Sequence, residues 1–294
     1  MENYGRTDLA CEMPKGADGR GVHARRDTRY GIDTEITVIT PGAGEETTGR
    51  RAGRYATLHC GKIWLLDKEE SARAAKATAA VLSSFLKEAT GEVPGHGRSV
   101  LIAGLGNRFI TPDSIGPRTA DLVTVTRHAA GGEYLPAILG CASVSAISPG
   151  VLGQTGIEAA ELVADAARAA NAEAIIAIDA LAARATERLA ATIQIADTGI
   201  QPGSGIGNHR AAITKETCGV PVIALGVPTV VDSSTLVWDA LEKAGIDSPC
   251  EELIRVLEEG RSYIVSPKES DRIADTVSAL LACALNRLFT PALL

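Results

Sequence analysis

Two aspartates follow apolar segments in this 294-residue sequence, and both are candidates for acid–base chemistry. Asp179 comes directly after the apolar run 174–178, and Asp113 follows a glycine-containing loop that leaves the apolar run 99–105. Ligands of open α/β sheets bind beyond the carboxyl ends of the strands. Two carboxylates that meet there can share one proton and act as general base and general acid. Each aspartate can instead cap a helix, so spacing alone leaves both interpretations open.

Glycine-rich loops supply a second kind of candidate, because their backbone amides can bind an anion or an oxyanion. One loop is 104–107 (GLGN), and the other is 203–208 (GSGIGN). The first has neither the dinucleotide pattern G-x-G-x-x-G nor the G-K-[ST] of a phosphate-binding loop. The candidates for contacts to an oxyanion or a substrate chain are Asn107, Gly203, Ser204 and Gly205.

The triplet Asp197-Thr198-Gly199 has the letters found in pepsin-like and retroviral aspartic proteases. Those proteins are all-β and bring two such loops together from two lobes or two subunits. This chain has one copy, placed between segments of α/β character. We therefore expect the triplet to be a turn.

Other catalytic patterns are missing from the sequence. There is no G-x-S-x-G nucleophile elbow, and the five histidines show no H-E-x-x-H spacing. The six cysteines include no C-x-x-C pair, which argues against a zinc site or a disulfide framework. We predict no metal and no cofactor.

Composition excludes several classes of partner. The net charge of −7, without a long basic run, argues against direct binding of nucleic acid. No apolar run approaches the roughly 18 residues that span a bilayer, and the polar N-terminus is not a signal peptide. We expect a cytoplasmic protein without a membrane partner.

Hydrophobic periodicity predicts alternating strands and helices from residue 99 onward. Predicted strands are 34–40, 55–66, 99–105, 174–178, 192–196 and 221–225. Predicted helices are 68–89, 115–129, 156–171, 180–190, 232–244 and 268–289. This order predicts an α/β fold, a three-layer α/β/α sandwich with a mainly parallel central sheet. The first two strands should form a small antiparallel ribbon outside that sheet, after a loose leader over 1–31.

Eight segments, in order along nearly the whole chain, resemble the germination proteases of spore-forming bacteria. They are 6–12 (RTDLACE), 53–58 (GRYATL), 104–117 (GLGNRFITPDSIGP), 126–128 (TRH), 144–161 (VSAISPGVLGQTGIEAAE), 175–210 (IIAIDALAARATERLAATIQIADTGIQPGSGIGNHR), 221–232 (PVIALGVPTVVD) and 263–274 (YIVSPKESDRIA). The run 175–210 is the longest and most specific.

The resemblance implies an endopeptidase that degrades small acid-soluble spore proteins in the spore core and uses the aspartates matching Asp113 and Asp179. It also implies a zymogen and a homotetramer. The family's fold is similar to that of the hydrogenase-maturation peptidases, in which the corresponding pair of acidic residues binds nickel. A metal-binding peptidase of that type is therefore one alternative, and a non-catalytic anion-binding α/β module is another.

The N-terminal segment Thr7-Asp8-Leu9-Ala10-Cys11-Glu12 resembles the site that the family cuts in its substrates and in its own leader. We expect cleavage between Asp8 and Leu9. The resemblance thus divides the chain into a propeptide, 1–8, and a single protease domain, 9–294.

Overall fold

The computed structural model describes residues 6–13, 20–93, 95, 98–129, 140–204, 210–246, 250–259 and 263–293. The strands in these ranges are β1 Val22–Arg29, β2 Ile32–Ile39, β3 Gly53–His59, β4 Ser99–Gly104, β5 Ser143–Ile147, β6 Ala174–Ala182, β7 Thr192–Ala196, β8 Val222–Asp232 and β9 Ile264–Val265. The α-helices in these ranges are α1 Ala43–Thr48, α2 Lys68–Thr90, α3 Ile115–Leu122, α4 Leu152–Thr155, α5 Ala159–Ala170, α6 Lys215–Cys218, α7 Ser233–Lys243, α8 Glu251–Glu259 and α9 Ser270–Phe289.

All these strands belong to one sheet, ordered β1-β2-β3-β7-β8-β6-β4-β5, with the short β9 paired to β8. The pairs from β8 through β6 and β4 to β5 are parallel. The pairs from β1 through β2, β3 and β7 to β8 are antiparallel, as is β8 with β9. The α/β class is confirmed, but the sheet is mixed rather than mainly parallel. The N-terminal ribbon is antiparallel, yet it continues the main sheet through β3 and β7 instead of lying outside it.

The connection between β6 and β7 explains the mixed sheet. A parallel return needs a crossover of a dozen or more residues, usually a helix. Only residues 183–191 join the two strands, and they contain a short 3-10 turn, Thr186–Arg188. The chain therefore comes back antiparallel, and the helix predicted at 180–190 is wrong. Alanine favours helix intrinsically, but pairing of β6 with β8 as far as Ala182 overrides that preference.

Helices cover both faces of the sheet, as the three-layer prediction requires. On one face, α2 and α9 pack with alternate strand residues such as Ile102, Ile176 and Leu225. On the other, α5 packs with the intervening residues, including Leu101 and Ile175. Strands that are buried on both faces consist of continuous apolar residues, so their positions could be predicted from the sequence.

Most predicted helices lie where they were expected, at α2, α5, α7 and α9. The predicted helix 115–129 is shorter, since α3 ends at Leu122, and the predicted strand 55–66 ends at His59. None of the helices in the described ranges is long and apolar enough to cross a membrane.

The N-terminal region departs most from expectation. Instead of a loose leader over 1–31, β1 begins at Val22, and residues 6–13 pack against the body of the protein. Leu9 is 0% exposed. Residues 1–5 and 14–19 of the predicted leader lie outside the described residues.

Candidate active site

Two glycines allow the start of α3 to lie directly on the ends of β4 and β6. A Cβ on Gly106, whose φ is +109°, would lie 2.1 Å from the carbonyl oxygen of Asp113. A Cβ on Gly116 would lie 2.2 Å from the carbonyl oxygen of Leu105 and 2.6 Å from that of Ile178. Only glycine fits such approaches. The loop after β4 thereby brings Asp113 toward β6, where Gly116 lies against Ile178, the residue before Asp179.

Asp113 ends a short 3-10 turn and does not cap α3. Its Oδ2 accepts a hydrogen bond of 2.7 Å from the backbone N–H of Asn107. Burial raises the pKa of Asp113 to about 6, and the Asn107 hydrogen bond opposes that rise only in part. A carboxyl with this pKa is mostly ionised at neutral pH but is poised to accept a proton.

Asp179 lies within β6, not before a helix, and its residue is 5% exposed. Its Oδ1 accepts a hydrogen bond of 2.9 Å from the N–H of Ala180. Burial raises the pKa of Asp179 well above its ordinary value, and the charges of Asp113 and Asp8 raise it further. The two aspartates are thus electrostatically coupled, and Asp179 is the one that more strongly favours the protonated form.

A cavity of about 270 Å³ opens beside Asp179. Gln194, Gly203 and Ser204 line it, as does Asp8 from the N-terminal segment. The cavity therefore joins a buried carboxyl, a polar loop and the segment that resembles a cleavage site.

The N-terminal segment is attached to this cavity through Asp8. The N–H of Asp8 donates to the carbonyl oxygen of Ala182 at 2.8 Å, and Asp8 Oδ2 accepts from the N–H of Ala182 at 2.9 Å. Asp8 Oδ1 accepts from Ser204 Oγ at 2.9 Å and from Arg50 Nη2 at 3.3 Å. Arg50 also donates to the carbonyl oxygen of Thr7.

The candidate anion-binding residues fall into different positions. The side chain of Asn107 binds its own loop and α4, because Oδ1 accepts from Phe109 N at 3.0 Å and from Gln154 Nε2 at 2.8 Å. Gly203 and Ser204 reach the cavity. Gly205 lies outside the described residues.

Asp197 lies in a bend directly after β7, and its carboxylate makes structural contacts. Its carboxylate accepts from Arg54 N at 2.8 Å and from Arg54 Nε at 2.9 Å. Arg54 in turn lies over the ring of Phe85 and pairs with Glu88. The triplet thus fastens the end of β7 to β3 and α2.

The sequence interpretation missed Gln194. This residue is 7% exposed in the middle of β7, and its side chain binds the N-terminal segment. A buried amide inside an apolar strand needs hydrogen-bond partners. The glutamine within the apolar segment 192–196 (TIQIA) could therefore have indicated a binding residue.

Comparison with known proteins identifies the family. A family model described as germination protease matches residues 9–244. The germination protease of Clostridium acetobutylicum is 38% identical over 99% of this chain and 97% of its own length. That of Caldanaerobacter subterraneus subsp. tengcongensis is 37% identical over 98% and 95%, and that of Bacillus subtilis is 40% identical over 81% and 66%. The chain belongs to the germination protease family of peptidases.

Proposed function

We propose that this protein is an aspartate-dependent endopeptidase that degrades small acid-soluble spore proteins in the spore core during germination. One observation carries the proposal. One carboxyl lies in the loop after β4 and the other within the adjacent parallel strand β6, both have raised pKa values, and each pKa is shifted chiefly by burial. Pairs of titratable groups shifted in this way are typical of acid–base sites.

The different burial of the two carboxyls suggests their roles. Asp113 is the general base and takes a proton from water as the water oxygen attacks the substrate carbonyl carbon. Asp179, protonated, donates a hydrogen bond to the carbonyl oxygen as that oxygen gains negative charge. When the C–N bond breaks, the proton held by Asp113 passes to the leaving nitrogen. The cycle ends with Asp113 ionised and Asp179 protonated, as it began.

The N-terminal segment supports a zymogen in which residues 1–8 are a propeptide and 9–294 the protease domain. Asp8 lines the cavity beside Asp179, and Leu9 belongs to the apolar cluster of the lining residue Leu181, so an intact segment competes with substrate for the cavity. We propose that the protease cuts its own chain between these two residues. The homotetramer implied by the family resemblance belongs to the same proposal.

A peptide from a small acid-soluble spore protein tests the mechanism, with and without a strong chelator. Cleavage at an unchanged rate after chelation supports the aspartate pair. Cleavage that chelator abolishes and added metal restores supports the metal-binding alternative. Binding of anions without any cleavage supports the non-catalytic module.

A further inference from the structure

Three residues on adjacent strands form a row beneath the N-terminal segment. Asp179 on β6 pairs with Gly226 on β8, and Gly226 pairs with Gln194 on β7. Directly paired residues project from the same face of a sheet, and neighbouring strands lie about 4.8 Å apart. Asp179 and Gln194 therefore stand roughly 10 Å apart on one face. Gly226 has no side chain, and the side chain of Leu181 lies over it, since a Cβ on Gly226 would be 2.6 Å from Leu181 Cδ1. All four residues line the cavity.

The N-terminal segment lies on this face. Leu9 belongs to the apolar cluster of Leu181, two residues after Asp179, and Ala10 belongs to that of Ala196, two residues after Gln194. Residues two apart on a strand share a face. The segment thus lies on the sheet face that carries Asp179 and Gln194.

Gln194 holds that main chain with both ends of its amide. Its Nε2 donates to the carbonyl oxygen of Asp8 at 2.9 Å, and its Oε1 accepts from the N–H of Ala10 at 2.7 Å. On the segment these contacts involve backbone atoms only, so they fit any sequence without proline at the second position after the cut. They also bracket the Asp8–Leu9 peptide bond, which is the bond that the proposed function would cleave.

We propose that Gln194 is a catalytic residue that grips the substrate main chain across the scissile bond. Nε2 donates to the carbonyl oxygen that becomes the oxyanion, and Oε1 accepts from the N–H two residues after the cut. The proposal rests on the proposed function. Because a carbonyl oxygen accepts two hydrogen bonds, Gln194 and Asp179 can both serve it. The arrangement gives the enzyme a sequence-independent clamp, while Gln194 itself moves no proton.

A matched pair of peptides tests the contact between Gln194 and the substrate main chain. The two peptides are compared on the same enzyme, so the result does not depend on the folded fraction or on absolute rates. One is a spore-protein peptide. The other is a depsipeptide in which an ester oxygen replaces the N–H two residues after the cut. The full-length chain and its Gln194→Met variant are each given both peptides. The chain's own segment competes equally with both, so the ratio of kcat/KM between the two peptides is unaffected by that competition.

The wild-type chain should prefer the amide peptide by about tenfold, because an ester oxygen leaves Oε1 without its donor. Gln194→Met should show almost no preference. Its kcat on the amide peptide should fall about 100-fold, the usual loss on removing one oxyanion donor. Its pH–rate profile should keep the wild-type shape, because the aspartates are untouched. A shifted profile would indicate that the variant merely disturbs the aspartates, which would overturn the catalytic role.

Binding separates failure of this inference from failure of the proposed function. Fluorescence anisotropy measures both labelled peptides on the full-length Asp179→Asn variant, with and without Gln194→Met. If wild type and Gln194→Met both cleave, with the same preference for the amide peptide over the depsipeptide, the role of Gln194 is overturned and the proposed protease function stands. If the amide peptide binds more tightly than the depsipeptide only when Gln194 is present, and wild type cleaves neither peptide, the contact of Gln194 with the main chain is supported and the proposed protease function is overturned. Neither binding nor cleavage overturns both.

Discussion

Asp8 pairs with Ala182 through two hydrogen bonds, one from its backbone N–H to the Ala182 carbonyl and one from the Ala182 N–H to its carboxylate. Ala182 ends the strand that carries Asp179. The predicted leader is therefore fastened at its cleavage-site motif, and Asp8 adds a negative charge that raises the pKa of Asp179. The same residue thus belongs both to the blocking segment and to the electrostatics of the site.

The pH dependence of peptide cleavage should be bell-shaped. Asp113 must be ionised to accept a proton from water, so activity should rise as pH passes its pKa of about 6. Asp179 must be protonated, so activity should fall at the pH where it ionises. Burial raises the pKa of Asp179 well above its ordinary value, and the charges of Asp113 and Asp8 add to that rise. Initial rates of peptide cleavage between pH 4 and pH 9, at about 0.5-unit steps, provide the measurement. A rate that only falls as pH rises through 6 would contradict the assignment of Asp113 as base.

Asp197→Asn should reduce stability and leave most of the activity. The change weakens charged hydrogen bonds to Arg54, which are worth about 1.5–3 kcal/mol in proteins. Urea unfolding should show a lower midpoint, whereas kcat should stay within about threefold because Asp197 does not line the cavity. Asp165→Asn, which removes an exposed ion pair on α5, is the control with little effect on either. A folded Asp197→Asn protein without activity would show that the D-T-G triplet has a catalytic part.

Gly106→Ala should impair cleavage by displacing Asp113. The added methyl would overlap the Asp113 carbonyl oxygen at 2.1 Å, and φ of +109° disfavours alanine. We expect kcat to fall by roughly 100-fold, since a displacement of about 1 Å costs that much in positioned catalysis. Gly153→Ala is the matched control, because a Cβ there meets no atom within 4 Å. Equal rates for the two variants would mean that the close approach of the loop is not needed for catalysis.

The sequence located the buried strands and the loop that carries Asp113 because local rules govern them. Apolar runs mark buried strands, and glycines mark the loop that leaves β4. The direction of β7 was missed because it depends on a short connection that crosses β8. Hydrophobic periodicity describes local structure and does not reveal which strands are neighbours in the sheet. Gln194 was missed for the same reason, since its partners are 184 and 186 residues away in sequence. The ordered leader was also missed. Its polar residues suggested mobility, but Glu12 is buried against backbone N–H groups at 184 and 185 and the side chain of Arg188.

Processing of the full-length chain should produce a new N-terminus at Leu9. Mild acidification and drying resemble the conditions of a maturing spore core, and Asp8, the residue before the proposed cut, already lines the cavity beside Asp179. Intact-mass spectrometry after this treatment should show loss of residues 1–8. The Asp113→Asn chain should stay full length. Equal trimming of that inactive variant by itself would show that the cleavage is not autocatalytic.

The most direct test of the central claim is the rate at which Asp113→Asn and Asp179→Asn variants cleave a spore-protein peptide. Asparagine keeps the shape of each side chain but cannot take up or share the proton. Both folded variants should lose at least about 1000-fold in kcat relative to the wild-type chain, because each lacks one half of the acid–base pair. Near-wild-type cleavage by either variant would contradict the account.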